Sequence, residues 1–229
     1  MALIKLGPLV ADIRGSIGGT VFARNRGGAY ARNRTTPLNP QSAAQVAVRA
    51  AFGVLSNNWT TVLTQDERDA WDAWAGQVPV PNAFGEDRFL SGINAYVAGN
   101  SLLSQAGAPL VTNAPTVFAK GPTVVGEYLI ASGTDTGILT SIGGFVPAAG
   151  GVYINTYVSA PQNQGIGFFK GPFRFANSAL VTDPGVDIPE GPFPLPSPVA
   201  AGQPVFIRTR IVTPDGRVGG STVGRFLAA

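Results

Sequence analysis

The chain has 229 residues, a net charge of +3 and 13% charged residues, with 30 glycines and 19 prolines. It contains neither Cys nor His, which excludes disulfides, thiolate chemistry, Ser-His and Cys-His nucleophilic pairs and His-based metal sites. A charged share roughly half the usual one, with so many turn formers, disfavours an all-helical protein and suits short strands on a surface easily buried against neighbouring subunits.

Residues 1–38 are expected to form an extended basic arm. Lys5, Arg14, Arg24, Arg26, Arg32 and Arg34 face one acid, Asp12, so the arm carries +5 and the rest of the chain −2. Its apolar residues, Ile17, Val21, Phe22 and Tyr30, are too few for a core of its own. A β-ribbon is expected across residues 20–23 and 29–33, turning near Gly27-Gly28. The glycines of residues 15–20 lack the Lys-Ser/Thr of a phosphate loop and open no helix, so they read as a bend.

The arm's arginines come as Arg24-Asn25-Arg26 and Arg32-Asn33-Arg34. Residues two apart on a strand share a side. Each pair should therefore project two guanidiniums together, a geometry that grips carboxylates or phosphates. Arg14, Phe22, Arg24, Arg26, Tyr30, Arg32 and Arg34 are accordingly the candidate subunit-docking residues. An acidic neighbouring subunit is the favoured partner. Nucleic acid ranks below it, because nucleic-acid binders carry a larger basic excess over more of their surface. A solvated tail is the remaining alternative.

Residues 39–108 are expected to form a small helical domain. Asn39-Pro40 suits a helix start. Val48, Phe52, Leu55 and Trp59 then share one helical face. Thr64 and Glu67 make a capping box, opening a helix that carries Trp71, Trp74, Ala75 and Val78 and stops before Pro79. A third helix is expected from Phe89 to Ser104. The three tryptophans read as core packing. Asp66, Glu67, Asp69 and Asp72 read as charges complementing a helix N-terminus. The loop acids Glu86, Asp87, Asp183 and Asp187 make no calcium-loop pattern, and no metal or cofactor is expected.

Residues 115–229 are expected to form a β domain. Strands are predicted at 124–131, 152–159, 166–175, 204–213 and 221–227. Pro214-Asp215-Gly216 supplies the turn between the last two. Residues 183–204 carry seven prolines and must form a loop or an edge crossing. The spacing suits an immunoglobulin-like or fibronectin-like sandwich. The predicted class is thus α+β: extended N-terminal arm, small helical domain and C-terminal β-sandwich.

Three segments, IRGSIGGTVFARNRGGAYARNRTTPLNPQSAAQVAVRAAF, LTQDERDAWDAWA and FLSGINAYVAGN, resemble a group of proteins encoded by tailed bacteriophages and prophages. These share a Gly-rich basic start, an NPxSxAQ helix opening, a Trp-rich helix and a β-rich C-terminal part. The resemblance covers residues 13–100; the remainder is similar in style only. It implies a virion structural protein, a capsid decoration or cement protein or a neck or tail component, and carries over no catalytic residue. Other virion proteins and further copies of the same chain are the implied partners, with no membrane partner. Two further readings are a nucleic-acid-binding protein using the arm and a host-surface or carbohydrate-binding module carried by the sandwich, which exposed aromatics such as Tyr153, Tyr157, Phe168 and Phe169 on one open face would favour. An enzyme ranks last.

No run of about 20 apolar residues is free of Gly, Pro and charge, so no transmembrane helix is expected. Residues 1–14 do not read as a signal peptide. The expected location is the virion, after synthesis in the host cytoplasm.

Overall fold

The computed structural model describes residues 2–25, 28–82, 84–123, 125–130, 133, 136–143, 150–182 and 193–228. In chain order the elements are β1 (Ala2–Ile4), β2 (Gly15–Ile17), β3 (Thr20–Asn25), β4 (Gly28–Asn33), α1 (Ala43–Thr61), α2 (Gln65–Gln77), β5 (Val80–Pro81), β6 (Asp87–Arg88) and α3 (Gly92–Gln105). There follow β7 (Val125–Ile130), β8 (Thr136–Gly143), β9 (Val152–Val158), β10 (Arg174–Val181), β11 (Phe193–Pro194), β12 (Pro204–Val212) and β13 (Val218–Leu227). The protein is therefore α+β, with three helices and antiparallel sheets among the described residues. No helix among them is long and apolar enough to cross a membrane.

Two compact units emerge: Met1–Ala50 with Pro79–Leu90, and Ala51–Val78 with Ser91–Ala229. The segment 39–108, expected to stand alone as a helical domain, is divided between them, and α2 and α3 belong with the β-rich part.

The first unit corrects the extended arm. Its N-terminal residues form a four-stranded sheet in the order β1-β4-β3-β2. The expected ribbon is present as β3 against β4, from Thr20↔Asn33 to Asn25↔Gly28. β1 and β2 extend it on either side. At three residues each, they are too short to leave an alternation signal in the sequence. Lys5 Nζ reaches Glu86 Oε1 at 2.5 Å within the same unit. No described residue of this unit is buried.

α1 starts at Ala43, later than expected. Gln41 sits in the left-handed region (φ 48°), which interrupts a helix begun at Pro40. The Asn39 side chain accepts from Arg49 Nη1 at 2.8 Å instead of capping, and Gln45 N–H points to Ser42 Oγ. Of the expected apolar face only Leu55 is buried; Val48 and Phe52 are 66% and 59% exposed.

In the second unit the capping box of α2 forms as expected. Thr64 N–H donates to Glu67 Oε2 at 2.7 Å, and Glu67 N–H returns to Thr64 Oγ1. The Thr64 backbone N–H foremost, then the Thr64 and Thr112 side chains, hold the Glu67 carboxyl below its usual range. Trp71 is fully buried; its indole donates to Thr112 O at 2.7 Å, and that of Trp74 donates to Val117 O at 2.9 Å. Trp71 meets Trp74 and Tyr96 edge-on, and Trp59 leans on Tyr96, so Trp71 and Trp74 take the expected core role, while Trp59 is half-buried. α3 begins at Gly92, whose N–H donates to Asp72 Oδ1 at 2.6 Å; Phe89 stays outside the helix, 42% exposed.

Two sheets complete this unit, β10-β9-β12-β13 and β11-β8-β7. One core cluster draws on both: Val152, Ile154 and Val158 of β9, Ala179 and Val181 of β10, Val205, Ile207 and Ile211 of β12, with Ile130 of β7 and Leu195 and Val199 beyond β11. A parallel bridge, Ile130↔Ala228, joins the ends of β7 and the last strand. The second face of β9 is covered in part by α3: Leu102, Leu103 and Val212 cluster with Tyr153 and Val218, and Asn155 Nδ2 donates to Leu102 O at 3.0 Å. The expected strand at 166–175 is corrected: β10 runs Arg174–Val181, and the preceding residues form a loop. Gly165, Gly167, Gly171 and Pro172 weaken any strand there. Most of the proline-rich segment, residues 183–192, lies outside the described residues; among the described residues β11, at its end, pairs with β8 alone.

Candidate functional site

The described docking residues, all of the expected set but Arg26, lie in or beside the first unit's sheet. Arg14 is ion-paired to Asp12 at 2.7 Å, just before β2. On β3, Phe22 stands between Gly15 and Ala31, and Arg24 is exposed opposite Ala29. On β4, Tyr30 stands between Leu3 and Ala23, and Arg32 opposite Val21. Alternation then puts Phe22 and Arg24 on one face and Tyr30 and Arg32 on the other. Arg26 lies outside the described residues. Arg34 follows β4, its N–H donating to Gly19 O at 2.7 Å. Arg24 and Arg32 thus lie on opposite faces of the sheet. Each Arg-Asn-Arg pair starts on a strand, and Arg34 lies beyond the end of β4. What the sheet offers is two partly exposed faces, each bearing an aromatic ring and an arginine.

A second arrangement, in the other unit, takes up three of the four aromatics expected to mark a binding face of the sandwich, Tyr157, Phe168 and Phe169, while the fourth, Tyr153, packs against Leu102, Leu103 and Val212 instead. The outer face of β9 and β12, where α3 does not cover it, carries Tyr157, Phe206, Arg208 and Arg210. The loop before β10 folds over this face and adds Phe169, Lys170, Gly171, Pro172 and Phe173. Two cavities open here. One, of about 290 Å³, is lined by Tyr157, Lys170, Phe173, Arg208 and Arg210 with Gly171 and Pro172. The other, of about 300 Å³, shares Lys170 and Arg208 and extends to Phe168, Phe206 and Arg225.

The loop is fastened in several ways. Phe169 stacks on Phe206 (5.6 Å between centroids, 21°) and meets Phe173 edge-on. The Arg208 guanidinium lies 4.3 Å from the Phe173 ring centre. Arg225 donates to Ile166 O at 3.1 Å and to Gln164 O at 3.0 Å. Tyr157 bonds Gln105 of α3 through its hydroxyl and packs against Phe175. Burial raises its phenol above the usual value, and Arg210 beside it pulls the other way. No carboxylate among the described residues forms an ion pair with Lys170, Arg208, Arg210 or Arg225.

The signal for this face was the Arg208-Thr209-Arg210 alternation in a strand that also carries Phe206. What the sequence hid was the loop, a region that read as another strand. Among the described residues no group of three or more acidic side chains could hold a metal ion. No protein family matches the chain. No curated protein matches it, and no solved structure does.

Proposed function

We propose that this chain is a structural, non-catalytic subunit of a tailed-bacteriophage virion, a capsid decoration or cement protein or a neck or tail protein, docking on neighbouring subunits through its first unit. The observation that carries this is the exposure of that unit. It has regular sheet pairing, yet none of its described residues is buried. Isolated sheets of short strands need an apolar face covered to be stable. Phe22, Tyr30 and Val21 are already half shielded, and Ile17 and Leu38 are 75% and 91% exposed. Covering roughly 400 Å² of such surface on a neighbour supplies about 10 kcal/mol before the costs of association. Further copies of the chain and other virion proteins are the partners this reading implies.

The β-rich part fits, on this proposal, an immunoglobulin-like or fibronectin-like sandwich. In support, seven strands among the described residues divide four and three, with one core cluster drawing on both sheets. The experiment is cryo-electron microscopy of particles from the producing cell, together with deletion of residues 1–34. Repeating copies with the first unit laid on a neighbour, and a deletion that folds but no longer assembles, are the expected results. Absence from particles, or normal assembly of the deleted chain, would overturn the proposal.

One observation favours a second reading. The first unit holds eight cations against three carboxylates, whereas the other holds eight against ten. A nucleic-acid-binding first unit predicts DNA affinity that falls steeply with salt. Salt-insensitive or undetectable binding removes that reading.

A further inference from the structure

We propose that the aromatic and cationic concavity formed by Tyr157, Lys170, Phe173, Arg208 and Arg210 is a binding site for an acidic oligosaccharide, holding the negatively charged group of one sugar ring between Lys170 and Arg208. Three observations point the same way. The cations converge from two elements, Arg208 and Arg210 from β12 and Lys170 from the loop. No described carboxylate neutralises them. The loop is also held in place before any ligand arrives, by the Phe206–Phe169–Phe173 ring series and by Arg225 on the Gln164 and Ile166 carbonyls. A site whose charges are already positioned spends little of its binding energy on ordering itself.

The size and surroundings select the ligand class. Each cavity measures about 300 Å³ or slightly less, at the small end of ligand sites. The two share Lys170 and Arg208 as a common wall, so two successive rings can sit on either side of one charged junction. Phe168, 80% exposed at the edge of the second cavity, offers an aromatic face to the C–H face of a sugar. The unit around the concavity carries ten acids against eight cations. That net negative charge opposes a long polyphosphate, whose binding depends on an extended positive field. A ligand with one or two anionic groups, read at short range, escapes that penalty. An acidic peptide would leave the apolar rim at Phe168 without a ring to cover, so a sugar fits better.

The test is isothermal titration of the full chain with three acidic probes: oligogalacturonate, sialyllactose and a heparin tetrasaccharide. A methyl-esterified oligogalacturonate serves as the neutral control, and oligothymidylate and oligoglutamate of matched charge as the competing classes. At least one acidic sugar should bind, about tenfold or more tighter than the ester, the oligonucleotide and the oligoglutamate. Lys170→Gln and Arg210→Gln should each weaken it about tenfold, and Lys120→Gln, outside both cavities, should leave it unchanged. Lys170 is on the exposed loop surface, so its variant keeps the test informative if Arg210→Gln folds poorly. Failure of all three acidic sugars overturns the proposal. So does tighter binding of oligothymidylate or oligoglutamate, or affinity that survives Lys170→Gln.

Discussion

Replacing Gly99 with Ala tests how α3 is seated on the β-rich unit. A methyl group at that position would lie 2.2 Å from the Gly216 carbonyl oxygen and 3.1 Å from its carbonyl carbon. Both are backbone atoms at the turn between β12 and β13, and neither can rotate away. Gly216 itself has φ +89°, and a methyl added there would meet the Trp71 ring at 3.4 Å, so the turn is backed by Trp71 on that side. Overpacking of this kind costs about 1–3 kcal/mol, and a contact this short belongs at the upper end. Helix propensity returns about 1 kcal/mol on changing Gly to Ala, leaving a net loss of about 2 kcal/mol. Gly53, inside α1 in the same unit, has nothing within 4 Å of an added methyl. There the same change gains up to about 1 kcal/mol. At about 2–4 °C per kcal/mol for a domain of this size, the two variants should melt roughly 6–12 °C apart. Thermal unfolding followed by circular dichroism measures this directly. A Gly99→Ala protein that melts with or above Gly53→Ala would show that α3 does not rest on the turn as described.

Thr64→Ala removes the side-chain half of the α2 capping box and should cost about 1 kcal/mol, read by urea denaturation. Glu67 has its folded pKa lowered, first by the Thr64 backbone N–H, so its contribution is present above the unfolded carboxyl value and is lost as pH falls through the folded one. Glu67→Gln should therefore flatten the decline in stability between about pH 5 and pH 3; an unchanged acid limb would contradict this. Trp71→Phe leaves the half-buried Thr112 carbonyl without its indole donor and should cost about 1–3 kcal/mol, visible as a lower urea midpoint with an unchanged slope.

Local signals in the sequence mapped well onto local structure. The Thr64–Glu67 box, the stop before Pro79 and the turn at Pro214-Asp215-Gly216 each depend on a few adjacent residues, and each appears where expected. Long-range facts were harder. The strand at 152–159 was legible by alternation, and Val152, Ile154 and Val158 form its core face, but Asn155 is buried on the other because α3, some fifty residues earlier, covers it. The strand expected at 166–175 had apolar residues in number but glycines and a proline where pairing was needed, and the chain forms a loop there. Lys170 could not be joined to Arg208 and Arg210 from sequence, because the fold of that loop brings them together. The arm's arginines were read as pairs on strands, whereas β4 ends before Arg34.

Asn155 has a consequence of its own. Its amide donates to the Leu102 carbonyl in the last turns of α3, and its oxygen accepts from Ser178 Oγ at 2.5 Å on β10. Apolar contacts between a helix and a sheet tolerate rotation of the helix about its axis, since one Leu or Val substitutes for another against a smooth surface. A carbonyl–amide pair does not. Asn155 therefore acts as a key that fits α3 at one azimuth, and Asn155→Leu would keep similar volume while removing the key. The result would be a chain that still buries its core but no longer singles out one seating of the helix, with broadened resonances for Leu102 and Leu103 as its sign.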